Sequence, residues 1–293
     1  MSAHSLIKNI VKSILWNIVQ CIPGQSHPIR TGSLLLAKSA PSGTDVVFTR
    51  FLGNISVLID QRRYIENQII HNGYEPWMID LIERFVPSRD SVSIDVGANV
   101  GLISFMIGKQ AGPSGKVISA EPSAPFFERL CKNLEMNPTI SKIITPINVG
   151  VGAEVGHLFW FEDPAQPGNG LLRESGGLPV AVTTIDNIAR DYALSRLDFV
   201  KIDVEGMEHE ILKGGQATWK NLRPVIMFET LPTTPAERGY PVYEAIANEF
   251  TALNYQLYSV SLDGKLSMAN VNDLTHNSIL VPCEKAGSFN LAV

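Results

Sequence analysis

From about residue 70 onward, short apolar runs alternate with longer segments in which apolar residues recur every three or four positions. The runs near 92–96, 117–121, 143–149, 198–204, 224–229, 255–260 and 277–282 have strand length and polar or glycine boundaries. The periodic segments, near 77–86, 101–110, 124–136, 206–220 and 241–252, predict helices. Alternation of this kind implies an α/β domain built on a doubly wound, mostly parallel, seven-stranded sheet. Between 150 and 185 the order loosens, and Pro164, Pro167, Gly168, Gly170, Gly176 and Gly177 mark a long loop region.

The first 69 residues follow a different pattern. Leu6, Ile7, Ile10, Val11, Ile14, Leu15, Ile18 and Val19 recur at helical spacing, which predicts an amphipathic helix over Leu6–Val19. The segment is too short and too interrupted to span a bilayer, and no convincing cleavage site follows it. Two roles stay open: a packed lid or homo-oligomer element, which is favoured, and a helix lying on a membrane surface. Pro23–Gly43 reads as an irregular arm, and Val46–Thr49 and Ile55–Ile59 bracket Gly53-Asn54 as a hairpin. The chain therefore divides into an N-terminal extension, 1–69, and a main domain, 70–293.

Composition narrows the partners more than the fold. A net charge of −5 offers no general attraction to phosphate backbones, so nucleic acid is a poor first guess. Cys21, Cys131 and Cys283 are far apart and odd in number, which gives neither a zinc pattern nor a disulfide framework and suits a reducing, cytoplasmic setting.

The chemistry concentrates at two strand ends. Ser93-Ile94-Asp95-Val96-Gly97-Ala98-Asn99-Val100-Gly101 runs a buried strand through a side-chain-poor turn into a helix, and Glu121 ends the next strand twenty residues after Gly101. Gly97 and Gly101 let backbone N–H groups approach a ligand, and Glu121 can accept both hydroxyls of a ribose. Asp95 and Asn99 depart from the dinucleotide fingerprint, and a carboxylate beside the cradle would repel a pyrophosphate. A sulfonium donor with a ribose and no phosphate, S-adenosylmethionine (SAM), fits better. The second cluster is Lys201-Ile202-Asp203-Val204-Glu205-Gly206-Met207-Glu208-His209, which carries a buried lysine and then carboxylates to the ligand-binding edge of the sheet. Acids in a first helical turn also stabilise the helix dipole by roughly 0.3–1 kcal/mol each, but that does not require Lys201 in the strand.

These segments, together with Tyr74-Glu75-Pro76, Glu121-Pro122, Thr184-Ile185-Asp186, Leu212-Lys213-Gly214-Gly215, Arg223-Pro224 and Phe228-Glu229, resemble the FkbM-type SAM-dependent methyltransferases over residues 70–230. The resemblance implies a class I methyltransferase (Rossmann-like) fold and methyl transfer to an oxygen, often a hydroxyl of a sugar, glycan, glycolipid or natural product. Tyr74, Glu75, Asp95, Gly97, Asn99, Gly101, Glu121, Pro122 and Asp203 are the expected cofactor contacts. Asn148-Val149-Gly150-Val151 lacks the acid expected after the third strand, so adenine contact at Val149 and Gly150 has no acidic anchor.

Methyl transfer needs the acceptor oxygen aligned with the C–S bond, roughly 3–3.5 Å from the methyl carbon. A base taking the hydroxyl proton contributes roughly 10²–10⁴-fold. Asp203 and Glu205 are the first candidates for it and Glu208 and His209 the second, while Glu229 could orient substrate or complete an acidic pocket. Asp203, Glu205 and Glu229 could instead collect a divalent ion, but they form no compact ligand motif and no metal is predicted. Tyr74 and Trp77 could shelter the sulfonium, with simple core packing the favoured role for Trp77, and Phe159-Trp160-Phe161 with Gly168-Asn169-Gly170 reads as part of an acceptor loop or, equally, Trp160 closes the edge of the sheet. An NAD-dependent oxidoreductase and a non-catalytic SAM-binding module remain the alternatives.

Overall fold

The computed structural model describes residues 29–31, 45–60, 76–162, 170–204, 206–230, 240–261, 263–270, 274 and 276–291, and these fall into two compact units. The expected helix over Leu6–Val19, with its membrane and oligomer alternatives, lies outside the described residues.

The first unit holds a three-stranded sheet of β1 (Ile29–Thr31), β2 (Asp45–Phe51) and β3 (Ile55–Asp60). β2 and β3 form the expected antiparallel hairpin around Gly53-Asn54, and β1 pairs parallel to β2. That pairing puts a short strand inside the stretch read as an irregular arm. Val46, Val47, Ile55, Val57 and Ile59 are buried, and Asn137 fixes β3 by accepting from the Ser56 amide at 2.8 Å and donating to its carbonyl at 2.7 Å.

The second unit opens with α1 (Pro76–Phe85), β4 (Val92–Val96), α2 (Leu102–Ala111), β5 (Lys116–Ala120), α3 (Ala124–Glu135) and β6 (Ile144–Ile147). It continues through β7 (Gly150–Val151), β8 (Gly156–Glu162), β9 (Gly170–Arg173), β10 (Leu178–Thr183) and α4 (Ile185–Asp191). The last part is β11 (Phe199–Ile202), α5 (Glu208–Lys213), α6 (Gln216–Leu222), β12 (Val225–Glu229), α7 (Tyr240–Ala252), β13 (Tyr255–Val260), β14 (Leu266–Met268), β15 (Asn277–Pro282) and α8 (Cys283–Ala286).

The main sheet has the order β14-β13-β15-β12-β11-β4-β5-β6. From β6 to β12 the pairs are parallel, which gives the 3-2-1-4-5 arrangement of a doubly wound sheet with its switch point beside β4. β15 then enters antiparallel between β12 and β13. The sheet has eight strands where the sequence predicts seven, because three-residue β14 extends the edge beyond β13. At the opposite edge, β6 carries Pro146. The central strands are buried on both faces because helices cover them, as parallel sheets require, and Ser93, Asp95, Ser119 and Lys201 are buried polar positions among their apolar ones. Ile94, Val96, Ile118, Val200, Ile226 and Phe228 pack with Ile185, Ile211, Trp219 and Phe250 in one core.

Two expectations need correction. The single helix over 206–220 is two helices, broken at Gly214-Gly215. A Cβ on Gly214 would overlap the Gly152 carbonyl oxygen, and the buried Trp219 indole donates to the Leu212 carbonyl at 2.7 Å, capping α5. The described part of the stretch 150–185 forms a second sheet of order β7-β10-β8-β9 followed by α4, while Pro164, Pro167 and Gly168 lie outside the described residues. Asp186 lies in α4 but caps α6, accepting from the Ala217 and Thr218 amides at 3.1 and 2.8 Å and from the Thr218 hydroxyl at 2.6 Å. No helix among the described residues is long and apolar enough to cross a membrane.

Candidate active site

The turn after β4 is shaped by contact with the strand beside it. Gly97 has φ +81°, and a Cβ there would overlap the Asp203 carbonyl oxygen, so the ends of β4 and β11 meet backbone to backbone. The Gly97 and Ala98 amides both donate to the Ala120 carbonyl at 3.0 Å, and the Gly101 amide donates to the Ala98 carbonyl at 2.8 Å before α2 begins. Asn99 is left-handed at φ 50°, and its amide donates to Glu121 Oε2 at 2.7 Å. The Ser123 amide donates to Oε1 at 2.8 Å. Glu121 is thus gripped by the turn on one side and the start of α3 on the other, and burial still pushes its carboxyl up to about 7.

Asp95 lies under the turn. It is 1% exposed and accepts from the Ser104 hydroxyl on α2 at 2.5 Å, and Ser104 and Ser119 share a further hydrogen bond of 2.7 Å. Burial pushes the Asp95 carboxyl up to about 6, against the Ser104 bond and the Lys201 charge. The Asp95 charge therefore does not face an open cradle, and the supposed repulsion of a pyrophosphate loses its simplest form. Lys201 pairs in register with Asp95, is equally buried, and brings Nζ to 3.3 Å from Asp203 Oδ2. The buried lysine does form a polar network, as its position among carboxylates implies. Ser104 and Ser119 are members that the sequence did not reveal, since each is a lone hydroxyl in an apolar element.

Asp203 keeps 37% of its side chain exposed while its amide donates to the Val96 carbonyl at 3.0 Å. Glu208 differs from the expected reactive acid. It is buried, and its Oε1 accepts from the Val204 and Gly206 amides at 3.3 and 3.1 Å, holding the loop before α5 in shape. Burial pushes its carboxyl up to about 7. His209 Nε2 lies 2.9 Å from Glu210 Oε1, and Lys213 Nζ bonds the same oxygen at 2.9 Å. Glu229 is half-buried at the end of β12, in register with Asn277. Glu205, Tyr74 and Glu75 lie outside the described residues.

Asn148 replaces the expected acid after the third strand. Its Nδ2 donates to the Glu121 and Pro122 carbonyls at 2.8 and 3.2 Å, which ties the end of β6 to that of β5. Val149 and Gly150 follow directly, and Gly150 enters β7. Trp77 packs against Gly264, Phe159-Trp160-Phe161 belongs to β8, and Gly168-Asn169 lie outside the described residues. Trp160 sits edge-on to Phe126 with centroids 6.2 Å apart. Among the described residues, no group of three or more His, Cys, Asp or Glu is placed to hold a metal.

The methyltransferase FkbM domain matches residues 95–257, more than half of the chain and every described element of this crevice from Asp95 to Glu229. The chain belongs to the FkbM methyltransferase family. It has the class I SAM-dependent methyltransferase fold. Among the relatives of this FkbM protein, methyltransferase sdnD of Sordaria araneosa is 28% identical over 48% of this chain and 67% of its own. The hexuronic acid methyltransferase AglP of Haloferax volcanii is 26% identical over 57% of this chain and 67% of its own. The solved methyltransferase FkbM of Methylobacillus flagellatus KT is 16% identical with a TM-score of 0.48, over 74% of this chain and 52% of that one.

Proposed function

We propose that this FkbM methyltransferase moves the SAM methyl group to a hydroxyl oxygen of a sugar or other hydroxylated small molecule. The observation that carries the reading is the junction of Gly97 with Asp203, which sets a half-exposed carboxylate at the lip of the donor turn. The donor set fits a nucleoside. Each Glu121 oxygen accepts one backbone amide and retains a second lone pair for a ribose hydroxyl. Gly97, Asn99 and Gly101 line the adjacent turn, with Pro122, Val149 and Gly150 on the side suited to adenine. SAM supplies an electrophilic methyl group on a sulfonium.

The chain's part is to bind, align and deprotonate. Asp203 is the group best exposed to accept the hydroxyl proton, and Lys201 holds it in place from below. Asp95 supports that lysine from the next strand. Glu208 serves the loop, so the base role falls to Asp203 among the described acids of this cluster.

Thermal shift measurements test the donor assignment. S-adenosylhomocysteine (SAH) at 100 times its Kd should stabilise the protein by about 2.7 kcal/mol. That raises Tm by roughly 5–11 °C at ~2–4 °C per kcal/mol. SAM should act in the same way. A rise with NAD and none with SAM or SAH would sink the reading.

A further inference from the structure

A cleft of about 560 Å³ opens between the second sheet and the start of α5. Its size falls in the ~300–1,000 Å³ range of small-molecule sites. None of the donor residues lines it, yet both of its walls lead there. Gly152 follows Gly150 on one wall, and Met207 on the other stands four residues after Asp203. Four residues span at most about 14 Å of extended chain. Glu208 folds this stretch by gripping two of its amides, so the chain between Asp203 and Met207 is not extended.

The lining is mixed in character and biased in charge. Leu158, Leu172, Val182 and Met207 give apolar surface, and His157 and His209 add imidazoles. Three carboxylates, Glu154, Glu174 and Glu210, face one guanidinium, Arg173. Arg173 lies over the Phe161 ring, 4.3 Å from its centroid, and Lys213 offsets only Glu210. Carboxylates and imidazoles suit the hydroxyls of a ring, while the excess negative charge disfavours an anionic one.

Building on the methyl-transfer reading, we infer that this cleft holds the acceptor, and that the acceptor portion it takes is a neutral or amine-bearing polyhydroxylated ring, not a carboxylated or phosphorylated one. The charge of the cleft, and not the donor crevice, then sets acceptor choice.

Saturation-transfer NMR on the full chain with saturating SAH tests this with three probes: a methyl hexoside, a methyl hexosaminide and a methyl hexuronide. The first two should bind, and the hexuronide should bind about fourfold more weakly, the effect of one like charge at ~5 Å in water. Glu174→Arg, on an exposed turn, should reverse that preference, and Glu154→Arg should do the same from the other wall. A hexuronide preferred by the wild type, no binding of any probe, or an order unchanged in both variants would overturn the inference. SAH failing to raise Tm would instead overturn the methyl-transfer reading, and the two failures are separately visible.

Discussion

Replacing Glu121 by glutamine should flatten the pH dependence of stability of the unliganded protein. Burial is the largest influence on this carboxyl, and the Ser123 and Asn99 amides oppose it, leaving a folded value of about 7 against an ordinary 4.5. Between those values the folded form keeps a proton that the unfolded chain releases, so stability falls as pH rises through the window. Each tenfold difference in proton affinity is worth about 1.4 kcal/mol, and the full window about 3 kcal/mol. The glutamine of the variant cannot ionise, although its amide places an NH2 opposite one of the two backbone donors and costs ~1–3 kcal/mol at every pH. Asp95 and Glu208 titrate in both proteins, and the Asp95 charge is the smallest of the influences on Glu121, so the difference between wild type and variant reads mainly Glu121. Urea denaturation at intervals from pH 4.5 to 8 reads that difference directly. The gap should narrow, and then reverse or close, by about 3 kcal/mol towards pH 8. Parallel stability curves would refute the account of a buried, raised carboxyl under the donor turn.

Two further substitutions probe the frame of the site. Gly97→Ala forces an L residue to φ +81° against the Asp203 carbonyl. The left-handed backbone alone costs roughly 1–2 kcal/mol, so calorimetry should find Tm lower by at least ~2–4 °C and the SAM-induced rise lost; a native Tm with full SAM response would exclude the contact. Trp219→Phe removes the buried indole donor from the Leu212 carbonyl, which keeps Gln216 Nε2 at 3.3 Å, and should cost roughly 0.5–1.5 kcal/mol in urea denaturation, with helix content nearly unchanged. A variant as stable as wild type would show that the α5–α6 joint does not depend on the indole.

The parallel core was legible because its strands are buried on both faces and its helices keep their period. β4, β13 and β15 begin and end where the apolar runs do. The second sheet was hidden for physical reasons: β8 does not alternate, and Pro179 lies inside β10. The sequence also pointed correctly to the strand ends where chemistry gathers, but not to the direction of each side chain. Glu208 and Asp203 look alike in the sequence, yet one turns inward to its own loop and the other stays half exposed. Glu154, Glu174 and His157 carried no signal, since a cleft formed by distant turns leaves no local spacing.

The two edges of the main sheet bear on how the protein behaves in a crowded solution. A bare strand edge is a template on which another chain can add a strand and start an aggregate. β6 interrupts that template with Pro146, which has no amide hydrogen to offer, and β14 ends it after three residues beside an ion pair of Asp263 and Lys265. Neither edge gives an incoming strand a full ladder, so the sheet resists growth from copy to copy at both ends.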